Sequence, residues 1–162
     1  MAETLSMLNF VTSQFAVNVP SFFGYQNTSQ TLANTSWTAL NIDATVDDTY
    51  SGHSNSVNNS RYVCQLAGVY MVSGCYTPSG NTTGFRAVRV AKNGSPILGG
   101  SAYLFPITAA AVEIGCCSPI VEVSLSVGDY VEVHGWQSSG GNLGTVLDID
   151  MRCSLTVRFA HF

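Results

Sequence analysis

Apolar and polar residues alternate along most of this chain with a period of two. Thr38, Leu40, Ile42 and Ala44 interleave with polar neighbours over residues 38–44, and residues 85–92 alternate again. Residues 153–162 set Leu155, Val157 and Phe159 against Thr156, Arg158 and Ala160. That period belongs to strands with one face on a core. Residues 69–76 are apolar on both faces, the pattern of a strand covered from two sides. Further strands are expected over residues 110–117, 120–125, 130–136 and 145–151, with a polar Ser/Asn-rich loop over 47–60. Asn93-Gly94, between two such runs, is a strong hairpin signal because both residues tolerate positive φ. Eight or so short strands at close turn spacing predict an all-β sandwich or jelly roll. No repeat or linker divides residues 21–162, which read as one domain.

Residues 1–20 differ. Leu5, Leu8, Val11 and Phe15 recur at spacings of three and four, placing them on one face of a helix. A helix this short does not support itself in water. Two readings stand: an attachment segment that orders against a partner, and a frayed terminus. Pro20 closes the segment in both.

Composition narrows the function. Charged residues make up only 10% of the chain and hydrophobic residues 46%, against roughly a quarter charged in an ordinary soluble domain. A surface so poor in charge is expected to be covered by Ser, Thr, Asn, Gly and protein partners. The net charge is −4, with one lysine, Lys92, and five arginines. No basic patch neutralises phosphates, which argues against nucleic-acid binding. Residues 1–30 lack both a positive start and an unbroken apolar run, so no secretory signal or membrane span is expected, and synthesis and folding in a cytoplasm are. The five cysteines are odd in number and contain no C-x-x-C pair. Cys116 and Cys117, being adjacent, face opposite sides of a strand. The expectation is five reduced thiols.

Two segments carry a family likeness. One runs from Tyr62 to the corner Gly68-Val69-Tyr70; the other joins Leu125 through Gly128-Asp129 to the alternating strand Tyr130-Val131-Glu132-Val133. Glycine frees that second corner, and the Asp129 carboxylate can accept backbone N–H bonds there. Order and texture resemble the complement one-q and tumour-necrosis-factor jelly roll over roughly residues 20–162. A narrower likeness rests on Asn34-Thr-Ser-Trp-Thr-Ala-Leu40, Asp48-Thr49 with His53-Ser54, Asn59-Ser60-Arg61, Thr83-Gly84-Phe85-Arg86 and Asn93-Gly94. These strings are similar to one-q-type domains of tailed-phage virion proteins. In that family the domain commonly ends a longer fibre polypeptide, whereas here it follows a short lead, which favours a small protein docked on a larger assembly. The resemblance implies an all-β jelly roll with a helical or extended N-terminal lead, and a homotrimer.

Enzymatic motifs are missing: the sequence has no Gly-rich phosphate loop, H-E-x-x-H or G-x-S-x-G. His53, His134 and His161 lie far apart in sequence, and no catalytic residue or cofactor is assigned. Asp148 and Asp150, expected on one strand face, are weak calcium candidates beside a second acidic pair, Asp47 and Asp48; solvated strand ends are the plainer reading. Tyr50, His53, Tyr103 and Trp136 are candidates for a recognition surface, since flat aromatics stack on sugars and protein partners. The competing reading buries Tyr103 and Trp136 in a core or trimer seam. The expected function is a trimeric capsid decoration or minor capsid protein on the virion exterior, anchored to the major capsid or another virion protein through residues 1–20. The alternative is a tail-tip or fibre adhesin reading a host cell-surface glycan or protein. A secreted cellular ligand of the same superfamily is disfavoured by the absent signal.

Overall fold

The computed structural model describes residues 19–104 and 114–162. Leu5, Leu8, Val11 and Phe15 lie outside the described residues. The alternation resolves into two antiparallel sheets, with strands numbered along the chain. The first runs in spatial order β10 (Val121–Leu125), β6 (Gly68–Tyr76), β13 (Ser154–His161), β1 (Ser21–Tyr25) and β4 (Ala44–Asp48), with β9 (Cys116–Cys117) also paired to β6. The second places β3 (Thr38–Ala39) and β5 (Arg61–Val63) beside β11 (Tyr130–Gln137), followed by β7 (Arg86–Lys92) and β8 (Ser95–Leu104). A short ladder joins β2 (Thr31–Leu32) to β12 (Leu143–Gly144).

Inward residues of both sheets form one core. Phe22, Tyr70, Val72, Leu155 and Val157 of the first sheet meet Val88, Val90, Val131 and Val133 of the second, all at most 1% exposed. Each such side chain contributes on the order of 1.5–3 kcal/mol against the cost of ordering the chain. Leu40 and Ile42 keep the predicted alternation and are fully buried although they sit between strands. The sheets approach closely where Gly74 faces Val133: a Cβ on Gly74 would lie 2.5 and 2.6 Å from Val133 Cγ2 and Cβ.

The Asn93-Gly94 turn forms as expected, with φ of 51° and 78°. At Gly128-Asp129 the glycine adopts φ 90°. There Asp129 accepts from the Ser126 N–H at 2.9 Å and the Asn93 amide at 2.8 Å. Residues 145–151 differ from expectation: they make only the isolated bridges Pro78↔Thr145 and Leu147↔Arg152. The chain there bonds across loops instead, Thr145 N–H to the Gln30 carbonyl and Val146 N–H to that of Thr77. Asp148 then accepts from its own neighbour, the Ile149 N–H, a local bond that competes with a ladder.

The five-thiol expectation is overturned. Antiparallel pairing of β6 with β9 sets Cys75 directly opposite Cys117, and their Cα atoms stand 4.0 Å apart, joined by a disulfide. Cys116 faces the core, as adjacency required, and with Cys64 and Cys153 it is a buried free thiol. Sequence showed five cysteines but not which strands pair, and pairing decides the bond.

Candidate functional site

Strand β11 sends Val131 and Val133 into the core, so Tyr130, Glu132, His134 and Trp136 project from the outer face of the second sheet. Side chains from neighbouring strands join them in a continuous row. The Arg61 guanidinium lies 4.3 Å over the Tyr130 ring and 3.9 Å from Glu132 Oε1. Ser60 donates to the same carboxylate oxygen at 2.7 Å. His134 Nε2 stands 3.2 Å from Glu132 Oε2, while Arg89 Nε and Nη2 reach His134 Nδ1 at 3.3 and 3.2 Å. A guanidinium only donates, so Nδ1 is the acceptor and Nε2 carries the proton donated to Glu132. Burial pushes the Glu132 carboxyl up, but bonds from His134 and Ser60 and the charge of Arg61 outweigh it, leaving the carboxyl below its ordinary range. Ser60, Arg61 and His134 thus converge on one carboxylate and brace it.

Beyond the brace the row becomes aromatic. The Arg89 guanidinium sits 4.3 Å over Trp37, Trp37 lies 6.4 Å from Trp136, and Trp136 stacks on Phe85 at 5.7 Å with 19° between planes. Pairing aligns Trp136 with Ala87 and Ala87 with Tyr103, so Trp136 and Tyr103 flank one small residue across three strands. Tyr103 is 61% exposed.

The outer face of the first sheet is mixed, with an apolar patch at its β1–β4 end. Phe23 and Tyr25 of β1 point outward. They border a cavity of about 390 Å³ with Val46, Ile149, Asp150, Arg152 and Ser154. Ile149 is 92% exposed and Val46 63%. Arg152 lies 5.2 Å over the Tyr25 ring. Farther along the same face Arg158 pairs with Asp47 at 3.1 Å, and Met71 is 40% exposed. Within residues 69–76 the inner face is fully covered, whereas the outer face carries exposed Met71 and half-buried Val69, Ser73 and disulfide-bonded Cys75.

The four expected recognition residues do not form one surface. Tyr103 and Trp136 share the second-sheet face. His53 is a brace inside the sandwich rim: Nδ1 and Nε2 each stand 2.8 Å from a backbone carbonyl, of Arg61 and Ile42. Its ring packs 4.7 Å from Phe22, and the Asp48 carboxylate accepts the Gly52 and His53 N–H groups. The half-buried Tyr50 belongs to this loop. Asp148 and Asp150 sit on an exposed bend, not on a strand face, and Arg152 Nε donates to the Asp148 carbonyl at 3.0 Å. No cluster of three or more His, Cys, Asp or Glu with metal-binding geometry occurs among the described residues. Sequence reasoning missed Trp37, Arg89 and the Glu132–His134 pair. The period-two spacing of 130, 132, 134 and 136 was the signal for the β11 members; Trp37 and Arg89 join only through strand pairing.

Comparison with known proteins finds the same fold at low sequence identity. No family model matches the chain, and no curated protein matches its sequence. Among solved structures, the globular domain of zebrafish complement 1qA superposes with a TM-score of 0.60 at 12% identity, covering 88% of this chain and 98% of that one. Eiger TNF from S. frugiperda gives 0.59 at 12% identity over 89% of this chain and 94% of that one. Murine APRIL gives 0.58 at 13% identity over 88% and 100%. At such identity the likeness establishes the fold alone: an all-β jelly roll of the complement one-q and tumour-necrosis-factor type.

Proposed function

We propose that this jelly roll is a homotrimeric structural protein displayed on the exterior of a phage particle, as a capsid decoration or minor capsid protein. The observation that carries the trimer is the outer face of the first sheet. At its β1–β4 end Phe23, Tyr25, Val46 and Ile149 gather into an exposed apolar patch of the kind that marks an interface, on the side away from the sandwich core. A cyclic assembly covers such a face with a different patch of the next copy. The phage assignment is supported by the virion-type sequence strings and the low charge. Attachment is assigned to residues 1–20 through Leu5, Leu8, Val11 and Phe15, against the major capsid or another virion protein. Synthesis in a host cytoplasm then requires the Cys75–Cys117 bond to close after particle release, in oxidising surroundings.

One observation favours a second reading, a tail-tip or fibre adhesin: the aromatic row Trp37–Trp136–Phe85 with Tyr103 lies on the opposite sheet from the proposed trimer face. Densitometry of purified particles separates the readings. Hundreds of copies per particle support decoration and a handful support the adhesin; absence from particles refutes both.

A further inference from the structure

Arg89 is the cation at the centre of the second-sheet face, and no described carboxylate pairs with it. The ion pairs among the described residues are Arg61–Glu132, Lys92–Asp129, His134–Glu132 and Arg158–Asp47. Its polar partner is the acceptor nitrogen of His134, 3.2 and 3.3 Å away, and its plane rests on Trp37. Burial lowers its proton affinity, partly opposed by the nearby Tyr103 phenol. A guanidinium held by a neutral ring and an aromatic plane keeps its full charge available to an incoming anion. Around it stand Trp136 stacked with Phe85 on one side and Tyr103 on the other, with Ala87 between.

We propose that Trp37, Arg89, Tyr103 and Trp136 form a binding site for an acidic saccharide, a pyranose bearing a carboxylate. Stacking of the sugar's apolar face on an aromatic plane and a charge-assisted bond from Arg89 to the carboxylate supply the two halves of recognition. Charge complementarity selects this occupant over a neutral glycan, whose hydroxyls accept from a guanidinium but leave its charge uncompensated. Over an apolar peptide the choice follows from the same charge. The Glu132–His134 pair acts as a positioning device: it fixes the imidazole tautomer that accepts from Arg89 and so aims the guanidinium outward. The site deepens the recognition reading of this face and is independent of which part of a particle carries the chain.

The test is calorimetric titration of the full-length protein with a tetragalacturonate and with maltotetraose. Binding of the acidic oligosaccharide that weakens as salt is raised, with no heat from the neutral one, supports the site. Arg89→Gln should weaken that binding by about 10- to 100-fold, the worth of a hydrogen bond to a charged group. Tyr103→Ala, at a surface position that leaves the core untouched, should weaken it without altering the circular dichroism spectrum. Equal binding of both oligosaccharides, no binding of the acidic one, or acidic binding that survives Arg89→Gln in a folded variant overturns the proposal. Light scattering on the same samples reads the trimer separately, so failure of the site and failure of the assembly are distinguishable.

Discussion

Replacing His53 with Phe tests whether the loop over residues 49–60 is held by a side chain or only by its own backbone. The substitution keeps a flat ring against Phe22, 4.7 Å away in the native arrangement, and removes both ring nitrogens. What is lost is contact with the Arg61 and Ile42 carbonyls, each 2.8 Å distant. A neutral imidazole donates from one nitrogen only, so at least one carbonyl loses its donor. An acceptor left without a partner in a part-buried site costs about 1–3 kcal/mol. The backbone capping by Asp48 is unchanged, so the loss should not exceed that range by much. For a chain of this size each kcal/mol lowers Tm by about 2–4 °C. Urea unfolding followed by tryptophan fluorescence should therefore give a lower midpoint with an unchanged slope. A stability within about 0.5 kcal/mol of the parent, the scatter of ordinary surface substitutions, would show that the ring does not hold the loop.

Alkylation in denaturant without reductant should modify Cys64, Cys116 and Cys153 only, and reductant should add Cys75 and Cys117; five modified sites before reduction would contradict the bond. In the native state Cys116 and Cys153 should resist alkylation at neutral pH, because burial pushes their thiols up to about 11 and about 12 and the thiolate is the reactive form. Gly74→Ala should destabilise by about 1–3 kcal/mol through overpacking, since the new methyl meets Val133 Cβ at 2.6 Å; an unchanged Tm would mean the sheets separate freely. Acid should weaken the fold: Lys92, Asn93 and the Ser126 N–H hold the Asp129 carboxyl below its ordinary range, and Glu132 is also lowered. Carboxyls lowered by folding stabilise above their unfolded values near pH 4. That contribution is lost as pH falls through the folded values, so a Tm flat between about pH 5 and pH 2 would refute it.

The strands were legible where one face meets the core. Leu155, Val157 and Phe159 alternate in sequence and point inward together, and Asn93-Gly94 closes the hairpin its φ values allow. Residues 145–151 were misread because their alternation is satisfied by loop-to-loop bonds to Gln30 and Thr77, partners more than 65 residues away in sequence. The Cys75–Cys117 bond and the Trp37–Arg89 contact were invisible for the same reason: both are consequences of register between strands, and register is a property of the assembled sheet. His53 was read as a loop residue free to contact a ligand, but the backbone carbonyls that enclose its ring come from two other segments.

In the proposed trimer the outer face of the first sheet is a subunit interface. Light scattering of the full-length protein after size exclusion tests it most directly, alongside Phe23→Asp, which places a charge among Tyr25, Val46 and Ile149 at the mouth of the cavity. The parent should run at three times the 17.2 kDa chain mass, and the Phe23→Asp variant should be folded but monomeric. A parent that remains a single 17.2 kDa species, or a Phe23→Asp variant that keeps the full trimeric mass, contradicts it.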